Sequence, residues 1–104
     1  MGEIDKKEGF QKFVEQLRSE LPRLQNQYSV RSLGLFGSYV RGEQNLESDL
    51  DIFIEFKNVP GMFRFLELER ELSELLEVRV DLVQKNALKP AIGSRIMSEV
   101  KQLL

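Results

Sequence analysis

Leu33–Phe56, LGLFGSYVRGEQNLESDLDIFIEF, decides how the remainder of the chain is read. Val30, Leu33, Leu35 and Phe36 form a short apolar run that Gly37 closes, which predicts a strand over residues 30–36. Ser38 to Arg41 leaves room for one helical turn, and Gly42 is suited to end it. Residues 43–48 are polar and read as loop. From Asp49 to Phe56 the pattern alternates. Leu50, Ile52, Ile54 and Phe56 share one face, so Asp49 and Asp51 share the other. A Gly-Ser turn where a strand hands over to a helical turn suits an anion, because Gly lets backbone N–H groups approach it closely. Two carboxylates ~7 Å apart along one strand face repel unless a cation sits beside them. If the end of the first strand must meet the start of the second, the two are antiparallel neighbours.

Elsewhere the chain supplies cover for these strands. Phe10, Phe13, Val14, Leu17 and Leu21 recur at helical spacing over residues 8–21. Ser19 and Pro22 predict a break or kink, followed by a short second segment from Leu24 toward Tyr28. This apolar stripe is best read as core, although it leaves a homo-oligomer or a partner surface open. Asn58 to Gly61 reads as a turn, with Pro60 and Gly61 in type II order. Met62 to Leu76 is the clearest helix, with Phe65, Leu68, Leu72, Leu75 and Leu76 opposed by Glu67, Arg70, Glu71 and Glu74. Val78 to Val83 predicts a third strand with Asp81 inside a β-branched run. Pro90 opens a final helix expected to reach the end of the chain on an Ile92, Ile96, Val100 and Leu103 face. The strand–helix alternation predicts an α/β fold, a single domain over 1–104 with a small mixed sheet of three main strands flanked by helices.

Composition narrows the function. Lys and Arg number 15 against 17 Asp and Glu, a net charge of −2, so an extended nucleic-acid surface is not expected. There is no Cys, which excludes disulfides and thiolate zinc, and no His, which excludes a Ser-His-Asp base. No apolar run approaches the ~20 residues of a membrane span, and MGEIDKKEGF has no leader-like apolar core, so a cytoplasmic protein is expected.

The chemistry centres on acids. Asp81 is expected to lie beside Asp49 and Asp51, three carboxylates around a space for two Mg²⁺ ions ~3.5–4 Å apart. Asp81 would then take the proton of an attacking hydroxyl. Asp81 paired with Arg79 or Arg41 is the plainer alternative. Arg41 either clamps a phosphate or neutralises an aspartate. Lys85, Lys89 and Arg95 read as solvated surface.

Gly37-Ser38, ten intervening residues and Asp49-Leu50-Asp51, between apolar strands and before a later strand Asp, resembles the nucleotidyltransferase superfamily that includes DNA polymerase β. The length, Arg41-Gly42-Glu43 and the tail Leu88-Lys89-Pro90…Arg95-Ile96…Glu99 resemble its minimal nucleotidyltransferase (MNT) branch, the antitoxin half of HEPN/MNT toxin–antitoxin pairs. The resemblance implies the nucleotidyltransferase fold. It places ATP, as nucleotidyl donor, on Gly37 and Ser38, and Mg²⁺ on Asp49 and Asp51, with Asp81 as the third, catalytic carboxylate. It also implies AMP transfer to a tyrosine of a HEPN-domain ribonuclease toxin encoded nearby. Two alternatives remain: a binding module that neutralises the toxin without catalysis, and a nucleotidyltransferase acting on a small molecule. With no template groove, processive polymerisation is not expected.

Overall fold

The computed structural model describes residues 6–104, with side-chain surroundings from residue 9 onward. Residues 1–5, the start of the MGEIDKKEGF stretch on which the expectation about a leader rested, lie outside the described residues. In chain order the elements are α1 (Lys6–Tyr28), β1 (Val30–Phe36), α2 (Ser38–Arg41), β2 (Leu50–Phe56) and α3 (Met62–Leu76). Then come β3 (Val80–Gln84), a 3-10 turn (Lys85–Ala87), α4 (Pro90–Glu99) and β4 (Lys101–Gln102).

The strands form one mixed sheet in the order β3-β2-β1-β4. β1 and β2 are antiparallel, with Leu35 opposite Ile52 and Phe36 opposite Asp51. β2 and β3 are parallel, with Asp51 opposite Asp81 and Phe53 opposite Val83. The predicted antiparallel first pair is therefore present, and α3 serves as the crossover between the parallel strands.

Strand periodicity assigns the faces. Leu33, Leu35, Leu50, Ile52, Ile54, Val80 and Leu82 bury themselves against Val14, Leu17, Leu21, Leu24 and Tyr28 of α1 and Leu68, Leu72 and Leu76 of α3. Burying such a side chain contributes about 1.5–3 kcal/mol, so this layer carries the stability of the fold. The opposite face of the sheet carries Asp51, Phe53, Asp81 and Val83 in two cross-strand rows. β3 is the outer strand, and α3 covers its edge. The Ser73 hydroxyl accepts from the Val80 N–H at 3.1 Å and Glu69 Oε2 accepts from the Leu82 N–H at 2.9 Å.

Four expectations about the elements need correction. α1 does not break near Ser19 to Pro22 but runs on for 23 residues with Pro22 inside it. Pro22 has no N–H for the carbonyl four residues back, yet the stripe from Val14 to Tyr28 is buried along its length and holds the helix together. The Pro60-Gly61 turn is not type II. Gly61 has φ −68° and ψ 169°, because it is the extended cap of α3 and its carbonyl accepts from the Phe65 N–H at 3.0 Å. β3 starts at Val80 and not Val78, since Glu77 ends α3 in the left-handed region (φ 55°) and the Val78 N–H still donates to the Ser73 carbonyl.

The last helix stops at Glu99 and does not reach the end of the chain. Residues 101–104 turn extended and hydrogen-bond to the free edge of β1: the Leu33 carbonyl accepts from the N–H groups of Leu103 (2.9 Å) and Leu104 (3.1 Å). Ile92, placed on the expected buried face, is half exposed. β4 thus adds a fourth strand to the three predicted, on the side of β1 away from β2.

Candidate active site

β1 ends at Gly37 in a conformation that dictates the course of the next four residues. Gly37 has φ 82° and ψ −156°, a region open essentially to glycine alone. Its carbonyl accepts from the Val40 N–H at 3.1 Å and the Arg41 N–H at 3.2 Å, winding Ser38–Arg41 into one turn. Gly42, at φ 72°, ends the turn as expected. A Cβ on Gly37 would stand 2.1 Å from Asp51 Oδ2. The turn and the Asp51 carboxylate are therefore in direct contact, and only a residue without a side chain allows it.

Cross-strand register completes a row of Phe36, Asp51 and Asp81 on the sheet face away from α1 and α3. Directly opposed side chains on one face stand about 4.5–5.5 Å apart at Cβ. Asp51 is half-buried in the row, Asp81 exposed. Burial, then the charges of Asp81 and Asp49 and, least, a hydrogen bond with Asp81, push the Asp51 carboxyl up to about 6, against the opposing pull of Arg41.

Asp49 precedes β2 and is exposed. Arg79 Nε lies 3.1 Å from its Oδ1, a surface ion pair worth at most about 1 kcal/mol. Arg79 is thus the partner of Asp49 and not of Asp81. Among the described residues, no three carboxylates converge closely enough to hold an ion together. The structure brings Gly37, Asp51 and Asp81 together, and leaves Asp49, just ahead of the strand, in a weak pair. The donor set nonetheless fits Mg²⁺. It consists of hard carboxylate oxygens, two of them adjacent, whose mutual repulsion a divalent cation would relieve.

Arg41, expected to hold a phosphate or an aspartate, is placed differently. Its guanidinium bonds Glu43 Oε2 at 2.9 Å and Glu99 Oε1 at 3.0 Å, which raises its pKa further above the ordinary value. Glu99 is the residue to which the sequence alone assigned no role. Its Oε1 also accepts from the Gly37 N–H at 3.1 Å. Nothing in local spacing announces a contact across 62 residues.

Tyr39, in the turn, packs edge-on against Phe13 at 5.6 Å, and burial followed by the charge of Asp49 raises its phenol. On the same sheet face, two residues along β2 from Asp51, Phe53 lines a cavity of about 520 Å³ together with Lys85, Lys89, Ser94 and Met97. Both lysines read as solvated surface therefore border this face. Lys85 also lies 3.9 Å from Glu55 Oε2.

Residues 12–103, which include every group of this site, match the nucleotidyltransferase domain family. The chain is 44% identical over 84 residues to protein adenylyltransferase MntA of Thermococcus cleftensis, covering 81% of this chain and 85% of that protein. In three dimensions it is similar to a chain of a toxin–antitoxin crystal structure with AMP-PNP. There the TM-score is 0.70 and the identity 26%, over 84% of this chain and 72% of that one. A minimal nucleotidyltransferase structure superposes with a TM-score of 0.70 at 30% identity, over 84% of this chain and 92% of the other.

Proposed function

The chain belongs to the nucleotidyltransferase domain family, and from that premise we propose that it transfers AMP from ATP to a tyrosine hydroxyl of a HEPN-domain ribonuclease toxin, acting as its antitoxin. The observation that carries the reading is the contact of Gly37 with Asp51 and the pairing of Asp51 with Asp81, a turn suited to phosphate beside two adjacent carboxylates. The adenylyltransferase activity named for the relative, and the nucleotide analogue in the toxin–antitoxin neighbour, support the same choice of donor.

In this reading the triphosphate lies against the turn of Gly37 and Ser38, where backbone N–H groups meet it without a side chain intervening. Asp49, Asp51 and Asp81 would hold Mg²⁺, which would supply neutralisation of charge on the transferred and leaving phosphates. Asp49 joins by leaving Arg79, an exposed partner that costs little to give up. The acceptor oxygen attacks the α-phosphorus, the bond to pyrophosphate breaks, and the hydroxyl proton passes to the Asp81 carboxylate. Burial and its acidic neighbours push the Asp51 carboxyl up, and a cation held beside it would oppose that push. No helix among the described residues is long and apolar enough to cross a membrane, and a cytoplasmic setting fits a chain without cysteine.

The test uses α-labelled ATP, Mg²⁺ and the protein encoded beside this chain. Label should appear on that protein as AMP, on tyrosine. Asp51→Asn should abolish both the label and protection from the toxin. Protection that survives intact in Asp51→Asn would mean neutralisation by complex formation alone. Label on an added small-molecule alcohol, and none on the protein, would move the acceptor outside the proposed class.

A further inference from the structure

We propose that Glu99 is an internal occupant of the anion site at the Gly37 turn, and that its departure sets how tightly a triphosphate binds there. The inference rests on the reading of that turn as the triphosphate site. Two donors suited to phosphate converge at the turn, the Gly37 N–H and the Arg41 guanidinium, and one Glu99 carboxylate holds both. Oε1 accepts from Gly37 N at 3.1 Å and from Arg41 Nη1 at 3.0 Å, while Oε2 lies 3.2 Å from the same nitrogen. An ionised carboxylate offers what a phosphate oxygen offers, negative charge and acceptors only.

The tail is built to deliver it. Glu99 is the last residue of α4, after which β4 pairs with Gly34 and Leu35 of β1 and the residues beyond it, Leu103 and Leu104, bond to Leu33. Gly34 makes that docking close: a Cβ there would lie 3.0 Å from Val100 Cγ2 and 3.1 Å from the Lys101 carbonyl oxygen. The carboxylate is thus anchored at the edge of β1 away from β2. Its side chain is 31% exposed and that of Arg41 is 45% exposed, so water screens the pair and a triphosphate can displace it. An incoming triphosphate must separate Glu99 from both donors or meet its charge.

Removing the carboxylate should therefore strengthen binding of anything that uses the phosphate donors, by about three- to tenfold. Calorimetry would measure AMP-PNP and inorganic tripolyphosphate, each with and without Mg²⁺, on the wild type, Glu99→Gln and Glu99→Ala. Tightening for both probes in both variants, larger in Ala, is the expected result; Gln is smaller because its carbonyl still accepts from Gly37. Unchanged or weaker binding in either folded variant overturns the proposal while leaving the triphosphate site standing. Binding by the variants but not by the wild type supports it in its strongest form. If no protein binds either probe, the site reading itself falls and the proposal with it. Adenosine, which has no phosphate, should show no gain, and a gain there would indicate a general loosening of the tail and overturn the proposal. Should the variants fail to fold, the Glu99 carboxyl carbon and the Gly37 amide in the wild-type NMR spectrum should both shift as tripolyphosphate saturates. A Glu99 signal that stays fixed at saturation overturns the proposal.

Discussion

Gly37→Ala is the substitution on which the site geometry can be tested most sharply. The added Cβ would lie 2.1 Å from Asp51 Oδ2, 3.0 Å from its Cγ and 3.3 Å from its Cβ. Carbon atoms in favourable contact stand ~3.5–4.0 Å apart, so rotating the carboxylate away does not suffice, and Asp51 must retreat by roughly 0.5–1 Å. The backbone adds a second cost. At φ 82° and ψ −156° a residue with a Cβ is strained by about 1–3 kcal/mol, equivalent to a fall in Tm of about 4–20 °C for a domain of this size. A misplacement of ~1 Å at a reacting centre costs on the order of 10²-fold in rate. Thermal melts and kcat/KM for AMP incorporation should therefore both fall, activity by ~100-fold where the fold persists. Gly42→Ala is the matched control. Gly42 also has positive φ (72°), but no atom stands within 4 Å of a Cβ built there, so it should lose about 1 kcal/mol of stability and far less activity. Equal activity losses at the two positions, or a Gly37→Ala enzyme within threefold of wild type, would refute the contact with Asp51 as the reason for glycine.

Three further outcomes rest on particular contacts. Gly34→Ala should push β4 from β1, seen as lost hydrogen-exchange protection at Leu103 and Leu104 with little change in global Tm. Pro22→Ala should stabilise the protein by about 1–3 kcal/mol, since it restores a donor inside a continuous helix; a lower Tm would mean that α1 needs its proline. The Tyr28 phenol donates to Glu71 Oε2 at 2.6 Å, and burial followed by Glu71 pushes it up to about 12 from the usual 10. Its folded value is raised, so its contribution is full below pH 10 and lost as pH climbs toward 12. Glu71 is held below its ordinary value, first by Tyr28 and then by Arg23, against the cost of burial. Its contribution is full above the ordinary carboxylate range and lost as pH falls through the lowered value. Tyr28→Phe should flatten both ends of a Tm-against-pH curve, and unchanged slopes would exclude the pair as their source.

Much of this molecule was legible in one dimension. β1 ends where Gly37 closes an apolar run, β2 alternates, and α3 shows an unbroken stripe from Phe65 to Leu76, because each depends on the period of its own element. Asp51 was legible for the same reason, as alternation fixes its face within β2, whereas Asp49, expected on that face, stands just ahead of the strand. Errors fell where a distant element competes with local preference. Pro22 should break α1 on its own, but the buried stripe on both sides holds the helix through it. The final helix ends at Glu99 because β1 has a free edge and Gly34 leaves room beside it, neither of which is visible in residues 90–104.

The sequence by itself determined that a glycine turn and strand aspartates at 51 and 81 exist, and what chemistry such groups can support. Tertiary structure alone decided their partners. The parallel register sets Asp81 beside Asp51, while Asp49 turns to Arg79. Glu99 crosses 62 positions to occupy the Gly37 N–H, and with it the Arg41 guanidinium expected for a phosphate or an aspartate. The physical reason is range. Periodicity encodes which face a side chain shows, whereas the partner of a charge depends on strand order and edge pairing, which form only when the whole sheet closes.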